Sequence, residues 1–282
     1  MKTIKVLLIF VVMLSLIACS FTVNVPSVRT GATQTLEISE DVETGTSLSL
    51  VTIEMGAGEL NLTGGSDKLV EGTVRYNVEA WKPVVERDGS SLTLSQKTNS
   101  DISIPDGNYK NEWDLKLGST PIDLSLTTGA YKGNLDLSGV SVTRLSVTDG
   151  ASSATIRFDT LNPVEMSELS YKTGASEVEL FGLGNANVSS VRFDGGVGKY
   201  TLDFSGENPV NIDVSITSGM SDLKLILPDN VQAKVIVSGE LNNVDLQGTW
   251  TVQGTTYTFG SGGSLITITV DMGVGNLQLI QQ

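Results

Sequence analysis

The stretch Thr173-Gly174-Ala175-Ser176-Glu177-Val178-Glu179-Leu180 decides the fold, because its pattern recurs along the chain. A glycine and a small or apolar residue separate two runs in which apolar and polar side chains alternate, the period of a strand with one buried face. The pattern returns as Met55-Gly56-Ala57-Gly58-Glu59-Leu60-Asn61-Leu62 and as Gly195-Gly196-Val197-Gly198-Lys199-Tyr200-Thr201-Leu202. It appears again as Ser218-Gly219-Met220-Ser221-Asp222-Leu223-Lys224-Leu225 and Met272-Gly273-Val274-Gly275-Asn276-Leu277-Gln278-Leu279, with looser copies at Gly129, Gly150 and Gly239. From Gly129 to Gly239 the glycines stand 20 to 24 residues apart. A fixed period of that length marks a stacked, repetitive architecture.

The alternation assigns an interior. Three and five residues before the glycine stand Ile53/Val51, Leu126/Leu124, Val147/Leu145, Tyr171/Leu169, Phe193/Val191, Ile216/Val214 and Val270/Ile268. Four and six residues after it stand Leu60/Leu62, Ala154/Ile156, Val178/Leu180, Tyr200/Leu202, Leu223/Leu225 and Leu277/Leu279. Between them lie Glu59, Asn61, Glu177, Glu179, Lys199, Thr201, Asp222 and Lys224, which read as a polar exterior. Gly56, Gly129, Gly150, Gly174, Gly196, Gly219 and Gly273 are expected to be structural corners, where a Cβ would clash or positive φ is needed. The following Ala or Val is expected to pack inside.

The expected fold class is therefore all-β, a stacked-strand, β-helix-like solenoid with strands about 4.8 Å apart. An antiparallel β-sandwich is the alternative. The intervals Gly56–Gly129 and Gly239–Gly273 hold insertions, the second containing a hairpin or loop from Trp250 to Gly263. No segment beyond the first 18 residues carries a sustained helical stripe.

The N-terminus reads as an export signal: Lys2 and Lys5, then an apolar run from Val6 to Ala18 that is too short to span a bilayer. Leu16-Ile17-Ala18-Cys19 resembles the bacterial lipobox, which implies cleavage before Cys19 and lipidation of its thiol. Cys19 is the single cysteine of the 282-residue chain. An extracytoplasmic, lipid-anchored location follows as an expectation.

Composition excludes several chemistries. With 18 Lys+Arg against 32 Asp+Glu the formal charge is -14, which repels nucleic acid and anionic lipid heads. The chain contains no histidine, which removes Ser-His-Asp and Cys-His catalysis and, with one cysteine, the usual zinc sites. No catalytic, cofactor-binding or metal residue is assigned, and no cofactor is expected.

Glu177, Glu179, Asp203 and Glu207 are the carboxylates that a sugar-cleaving enzyme would need in pairs. The slots of Glu177 and Glu179 hold Lys199, Thr201, Asp222 and Lys224 in other repeats, so solvated surface is the simpler account. Asp149, Asp194 and Asp271 could face calcium at strand edges but lack the dense spacing of a calcium loop. Trp81, Trp113 and Trp250 would stack on sugars if exposed together, and otherwise cap the stack or fill the insertions. Gly260-Ser261-Gly262-Gly263 lacks the Lys-Ser/Thr ending of a phosphate loop.

Met55-Gly-Ala-Gly-Glu-Leu-Asn-Leu-Thr-Gly-Gly, Leu69-Val-Glu-Gly-Thr-Val-Arg-Tyr-Asn and Ser91-Leu-Thr-Leu-Ser-Gln together resemble the N-terminal domain of the toast-rack family. Gly182-Leu-Gly-Asn-Ala-Asn-Val-Ser-Ser-Val resembles the same group and related adhesin-type domains. The resemblance implies a stacked-strand fold in the cell envelope and carries no catalytic motif. The expected organisation is a signal at 1–18, a flexible tether at 19–33, a toast-rack-like β module at 34–127 and a repetitive solenoid module at 128–282, separate or continuous.

The expected function is a non-enzymatic envelope lipoprotein, an adhesin or surface binding scaffold. Its partners would be the membrane through Cys19 and a glycan or envelope protein, not nucleic acid. The alternatives are an envelope-stress or signalling accessory and, third, a polysaccharide-active β-helix enzyme.

Overall fold

The computed structural model describes residues 27–96, 104–106, 108–240 and 243–282. The 1–18 signal, Cys19 and the first part of the 19–33 tether lie outside the described residues. The chain begins with β1 (Ser27–Arg29), β2 (Gln34–Glu40) and the long β3 (Ser49–Ser66). There follow β4 (Val70–Tyr76), β5 (Pro83–Asp88), β6 (Ser91–Gln96), β7 (Ile104–Asp106) and β8 (Asn111–Gly118). Long strands come next: β9 (Ile122–Asp136), β10 (Val142–Arg157), β11 (Glu168–Phe181), β12 (Ser190–Asp203) and β13 (Ile212–Leu227). The set ends with β14 (Gln232–Gly239), β15 (Asn243–Gln247), β16 (Thr251–Gln253), β17 (Thr256–Phe259) and β18 (Leu265–Gln281). Apart from one 3-10 turn at Glu79–Trp81, the described secondary structure is all β.

Sixteen strands share one mostly parallel sheet, and β1 and β7 form a separate parallel pair. The spine runs β3, β9, β10, β11, β12, β13, β18, parallel at every step. Among the described residues, antiparallel pairing is confined to β2/β4/β8, β5/β6 and β14/β17/β16. The antiparallel sandwich is thereby set aside. Register places equivalent repeat positions side by side, so that Leu62, Leu135, Ile156, Leu180, Leu202, Leu225 and Leu279 form one fully buried column. Every interior residue assigned from the alternation is buried.

Each spine strand bends at its glycine. In β9 and β11 the burial pattern passes through two consecutive exposed residues, the glycine and its successor, with buried residues on either side. That extra exposed residue shifts the phase of alternation by one, as a bulge does, so both arms of the bent strand keep their apolar faces inward. The residue after the glycine consequently points out, against the expectation that it packs inside. Val197, Met220 and Val274 are 54%, 57% and 40% exposed. The inward corner positions are instead the residue before the glycine and the second one after it.

Glycine is required by close approach, since none of Gly129, Gly150, Gly174, Gly196, Gly219 and Gly273 has a positive φ. A Cβ on Gly196 would lie 2.2 Å from the Gly174 carbonyl oxygen, and one on Gly174 would lie 2.4 Å from that of Gly150. The same contact links Gly129 to Gly56 and Gly273 to Gly219.

Connectors between spine strands also stack. Phe158, Leu183 and Phe204 are buried, and their backbone N–H groups donate to Phe181, Asp203 and Ile226. Buried Asn162 donates to the carbonyls of Val142 and Ala186 and accepts from the Val142 N–H, tying one connector to its neighbours. At one end β18, last in sequence, inserts between β13 and the β14/β15 layer, and the β16–β17 hairpin covers β14. That hairpin lies in the expected second insertion. At the other end β3 pairs through one arm with β6 and through the other with β8. Antiparallel strands then cover β6 and β8, which blunts end-to-end pairing. Position 127/128, the expected module boundary, lies inside β9, and the β3–β9 ladder crosses it without a register break.

Gly196→Val should lower unfolding free energy by about 2–3 kcal/mol, because the obstacle is backbone that cannot step aside. Thr201→Val, on the outward side of the same strand, should stay within about 0.5 kcal/mol. Urea unfolding of both measures this, and equal midpoints would contradict the corner assignment.

Candidate functional site

The inward corner positions hold a polar knot. They are Asp149 and Ser152 in β10, Thr173 and Ser176 in β11, and Ser218 and Ser221 in β13. The Asp149 carboxylate is 6% exposed and accepts from Tyr171 Oη at 2.7 Å, Thr173 Oγ1 at 2.5 Å, Ser152 Oγ at 3.1 Å and Ser176 Oγ at 3.3 Å. Tyr131 Oη lies 3.3 Å from Tyr171 Oη, and the single Ser176 hydroxyl proton is shared between Asp149 and the adjacent Thr173 Oγ1. Phe193 stacks on Tyr171 at 5.6 Å and meets Tyr200 at 4.8 Å. In β12 the two inward corner positions are Gly195 and Gly198, and the Tyr200 ring fills the space. A Cβ on Gly195 would lie 2.6 Å from it, and one on Gly198 3.0 Å. The Tyr200 hydroxyl is buried without a partner among the described residues.

Burial raises the phenol pKa values of Tyr131, Tyr171 and Tyr200, and the Asp149 charge adds to each rise; Tyr200 is pushed up to about 12. With the hydroxyls of Ser152, Tyr171, Thr173 and Ser176 turned onto one carboxylate, the knot is a structural node of the corner, and Ser218 and Ser221 bond to each other at 2.8 Å apart from it.

The carboxylates considered for catalysis are dispersed. Glu177 and Glu179 stand on the outward side of β11, where Glu179 accepts from Thr155 at 3.4 Å. Asp203 caps the end of β12 by accepting from the Ser205 N–H at 2.8 Å, and Glu207 is exposed in a connector. The three aspartates do not converge: Asp149 is interior, whereas Asp194 and Asp271 face outward two residues before their glycines. Among the described residues no group of three or more His, Cys, Asp or Glu could hold a metal ion. The tryptophans also part company. Trp113 is fully buried and donates to Asn111 Oδ1 at 2.9 Å, while Trp250 packs edge-on against Phe259 at 4.8 Å.

The side chains that do converge border a groove of about 400 Å³, lined by Gly58, Glu59, Tyr109, Lys110, Glu112 and Lys132 among others. Tyr109 is 51% exposed, with its ring 5.4 Å from Trp81 in an edge contact. Asn77 holds the backbone on both sides of it: Nδ2 donates to the Asn108 carbonyl at 3.0 Å, and Oδ1 accepts from the Lys110 N–H at 2.7 Å.

The floor is fixed from below by buried Asn111 and Gln96, which exchange two hydrogen bonds at 2.9 and 3.1 Å. Asn111 also donates to the Ala57 carbonyl, and Gln96 reaches the Gly56 N–H and the Trp81 carbonyl. Gly58 has φ +151, and a Cβ there would lie 2.2 Å from the Asn111 carbonyl oxygen, so the floor stays free of side-chain bulk. Glu112 is paired with Lys110 at 3.1 Å and with Arg75 at 2.8 Å. Glu59 and Lys132, neighbours across β3 and β9, have no side-chain partner among the described residues. Tyr109 was not singled out from sequence. Its signal is tertiary, because nothing local distinguishes a clamped, exposed aromatic from a loop residue.

A sequence profile described as "N-terminal domain of toast_rack, DUF2154" matches residues 27–167 and 160–226, more than half of the chain. The chain belongs to the toast_rack N-terminal domain family. No curated protein sequence matches it. Solved structures similar to this toast_rack protein include a candidate cell adhesion protein from Clostridium sporogenes, at 21% identity and TM-score 0.49, covering 89% of this chain and 100% of that one. A candidate adhesin from Bacteroides fragilis aligns at 11% identity and TM-score 0.37 over 90% and 100% of the two chains. One from Parabacteroides merdae aligns at 10% and 0.40 over 90% and 99%.

Two results should follow from the knot. Tyr171→Phe should destabilise by about 1–3 kcal/mol, since it leaves a buried carboxylate short of a donor, whereas Tyr200→Phe should be neutral or stabilising. Because the folded pKa of Tyr200 lies near 12 against 10.0 for a free phenol, stability should be intact below pH 10 and fall as pH rises from there. Phenolate absorbance recorded with circular dichroism would test this, and ionisation of all tyrosines near pH 10 in folded protein would contradict it.

Proposed function

We propose that this toast_rack protein is a non-enzymatic lipoprotein of the bacterial cell envelope, a binding scaffold or adhesin held outside the membrane by lipid on Cys19. One observation carries the reading: the outward positions form long columns of polar side chains in strict register. One column runs Glu112, Glu59, Lys132, Ser153, Glu177, Lys199, Asp222, Asn276 across parallel strands. Such an array displays many recognition groups on one rigid sheet, which suits binding to an extended partner.

The scaffold is read as a β-solenoid, each rung comprising one bent strand and one connector, with the stacked connectors and repeat period in support. The partner is read as a glycan or an envelope protein. Nucleic acid is disfavoured by the formal charge of -14. The lipid anchor rests on the Leu16–Cys19 signature.

Fractionation of cells carrying the wild-type chain and Cys19→Ala tests the anchor. The wild-type chain should float with membranes and carry acyl mass, and the variant should lose both. Identical fractionation and mass would refute the lipid anchor. Crosslinking of the full chain on intact cells, with identification of bound envelope material, tests the scaffold.

A further inference from the structure

We propose that the groove between Tyr109 and Lys132 is a subsite for an uncharged saccharide. The inference rests on the surface-binding reading and gives it a ligand class. The groove's two acidic and two basic side chains cancel: Glu112 is occupied by Lys110 and Arg75, which leaves Glu59 and Lys132, among the described residues, as one free acceptor and one free donor across adjacent strands. An anion would meet Glu59 and a cation would meet Lys132. A sugar hydroxyl both accepts and donates, so neighbouring hydroxyls use both groups without stranding a charge.

Tyr109 supplies the apolar half. A half-exposed ring whose flanking backbone is held by Asn77 and whose edge meets Trp81 is pre-organised, and it can cover the C–H face of a pyranose at little entropic cost. The bare floor at Gly58 and Ala130 lets a flat ring approach the sheet, and a volume of about 400 Å³ is within the range of small-ligand pockets.

An extended peptide is the poorer fit. The second arm of β3 is hydrogen-bonded to β8 on one side and β9 on the other, so the floor offers no free backbone edge for strand addition. A second outward groove, of about 500 Å³ and lined by Lys199, Thr201, Asp222, Lys224, Asn276 and Gln278 among others, has no exposed aromatic wall and serves as the internal control.

The test is an array of neutral oligosaccharides (chito-, cello-, manno- and galacto-series) beside sulfated, sialylated and peptide panels, probed with the full chain in detergent. Hits are followed by calorimetric titration. A neutral oligosaccharide should bind, and Tyr109→Ala should weaken it about tenfold or more. Tyr109→Phe should retain binding, which separates loss of the ring from misfolding. Glu59→Gln and Lys132→Ala should each weaken binding several-fold, and Lys224→Ala should leave it unchanged.

Binding confined to the anionic or peptide panels, no binding at all, or equal affinity for wild type and Tyr109→Ala overturns the proposal. If no sugar binds while crosslinking still captures an envelope protein, the saccharide subsite falls and the scaffold reading stands. If both come back empty, the two fall together.

Discussion

The fold depends on one contact: the glycine carbonyl of each spine strand occupies the place where the next glycine's Cβ would be. That stacking lets bent strands lie in parallel register at ordinary sheet spacing, and it fixes where every strand turns. With the turn fixed, both arms deliver their apolar residues to one interior. A side chain at any of these glycines would press on the backbone of the neighbouring strand and strain the ladder at the corner. The cost would be spread over many hydrogen bonds and buried leucines, which is why so small an atom matters.

Around that corner the interior is polar as well as apolar. The bend brings short-range neighbours three residues apart to the same inner position, and hydroxyls fill it in β10, β11 and β13. One carboxylate, Asp149, gathers the hydroxyls of two strands. Where the hydroxyls are missing in β12, a ring substitutes: Gly195 and Gly198 make room for Tyr200. In β9, where the corner holds Thr128 and Tyr131, Gly133 on the inner side of the following arm makes room for the Tyr131 ring. Loss of volume at one position is offset by gain at another two or five residues away, so the corner stays packed while the sequence varies. The Tyr200 hydroxyl has no partner among the described residues, so what Tyr200 contributes to the corner is the volume of its ring.

Much of the fold was legible because its determinants are local and repeated. Val147/Leu145 before Gly150 and Val178/Leu180 after Gly174 announce their faces through alternation, and repetition removes the ambiguity of any single strand. The orientation of Ala175 or Val197 was misjudged because alternation was carried straight through the corner, whereas the bend inserts a phase shift. The role of Asp149 was hidden for the same reason: the inner corner exists only once neighbouring strands are stacked. The groove was less legible still. Glu59 reads as an ordinary outward position, Lys132 falls in the looser copy at Gly129, and Tyr109 belongs to no repeat.

The sequence alone therefore determined the repeat period, the strand faces and the exclusion of Ser-His-Asp and Cys-His catalysis, because each follows from residue type and spacing along the chain. Only the tertiary structure decided that the strands run parallel, that the C-terminal strand inserts ahead of β14 and β15, and that Tyr109, Glu59 and Lys132 share one groove. Those features depend on which distant segments meet. Backbone hydrogen bonds will pair any compatible strands, so the choice among partners belongs to the packed whole.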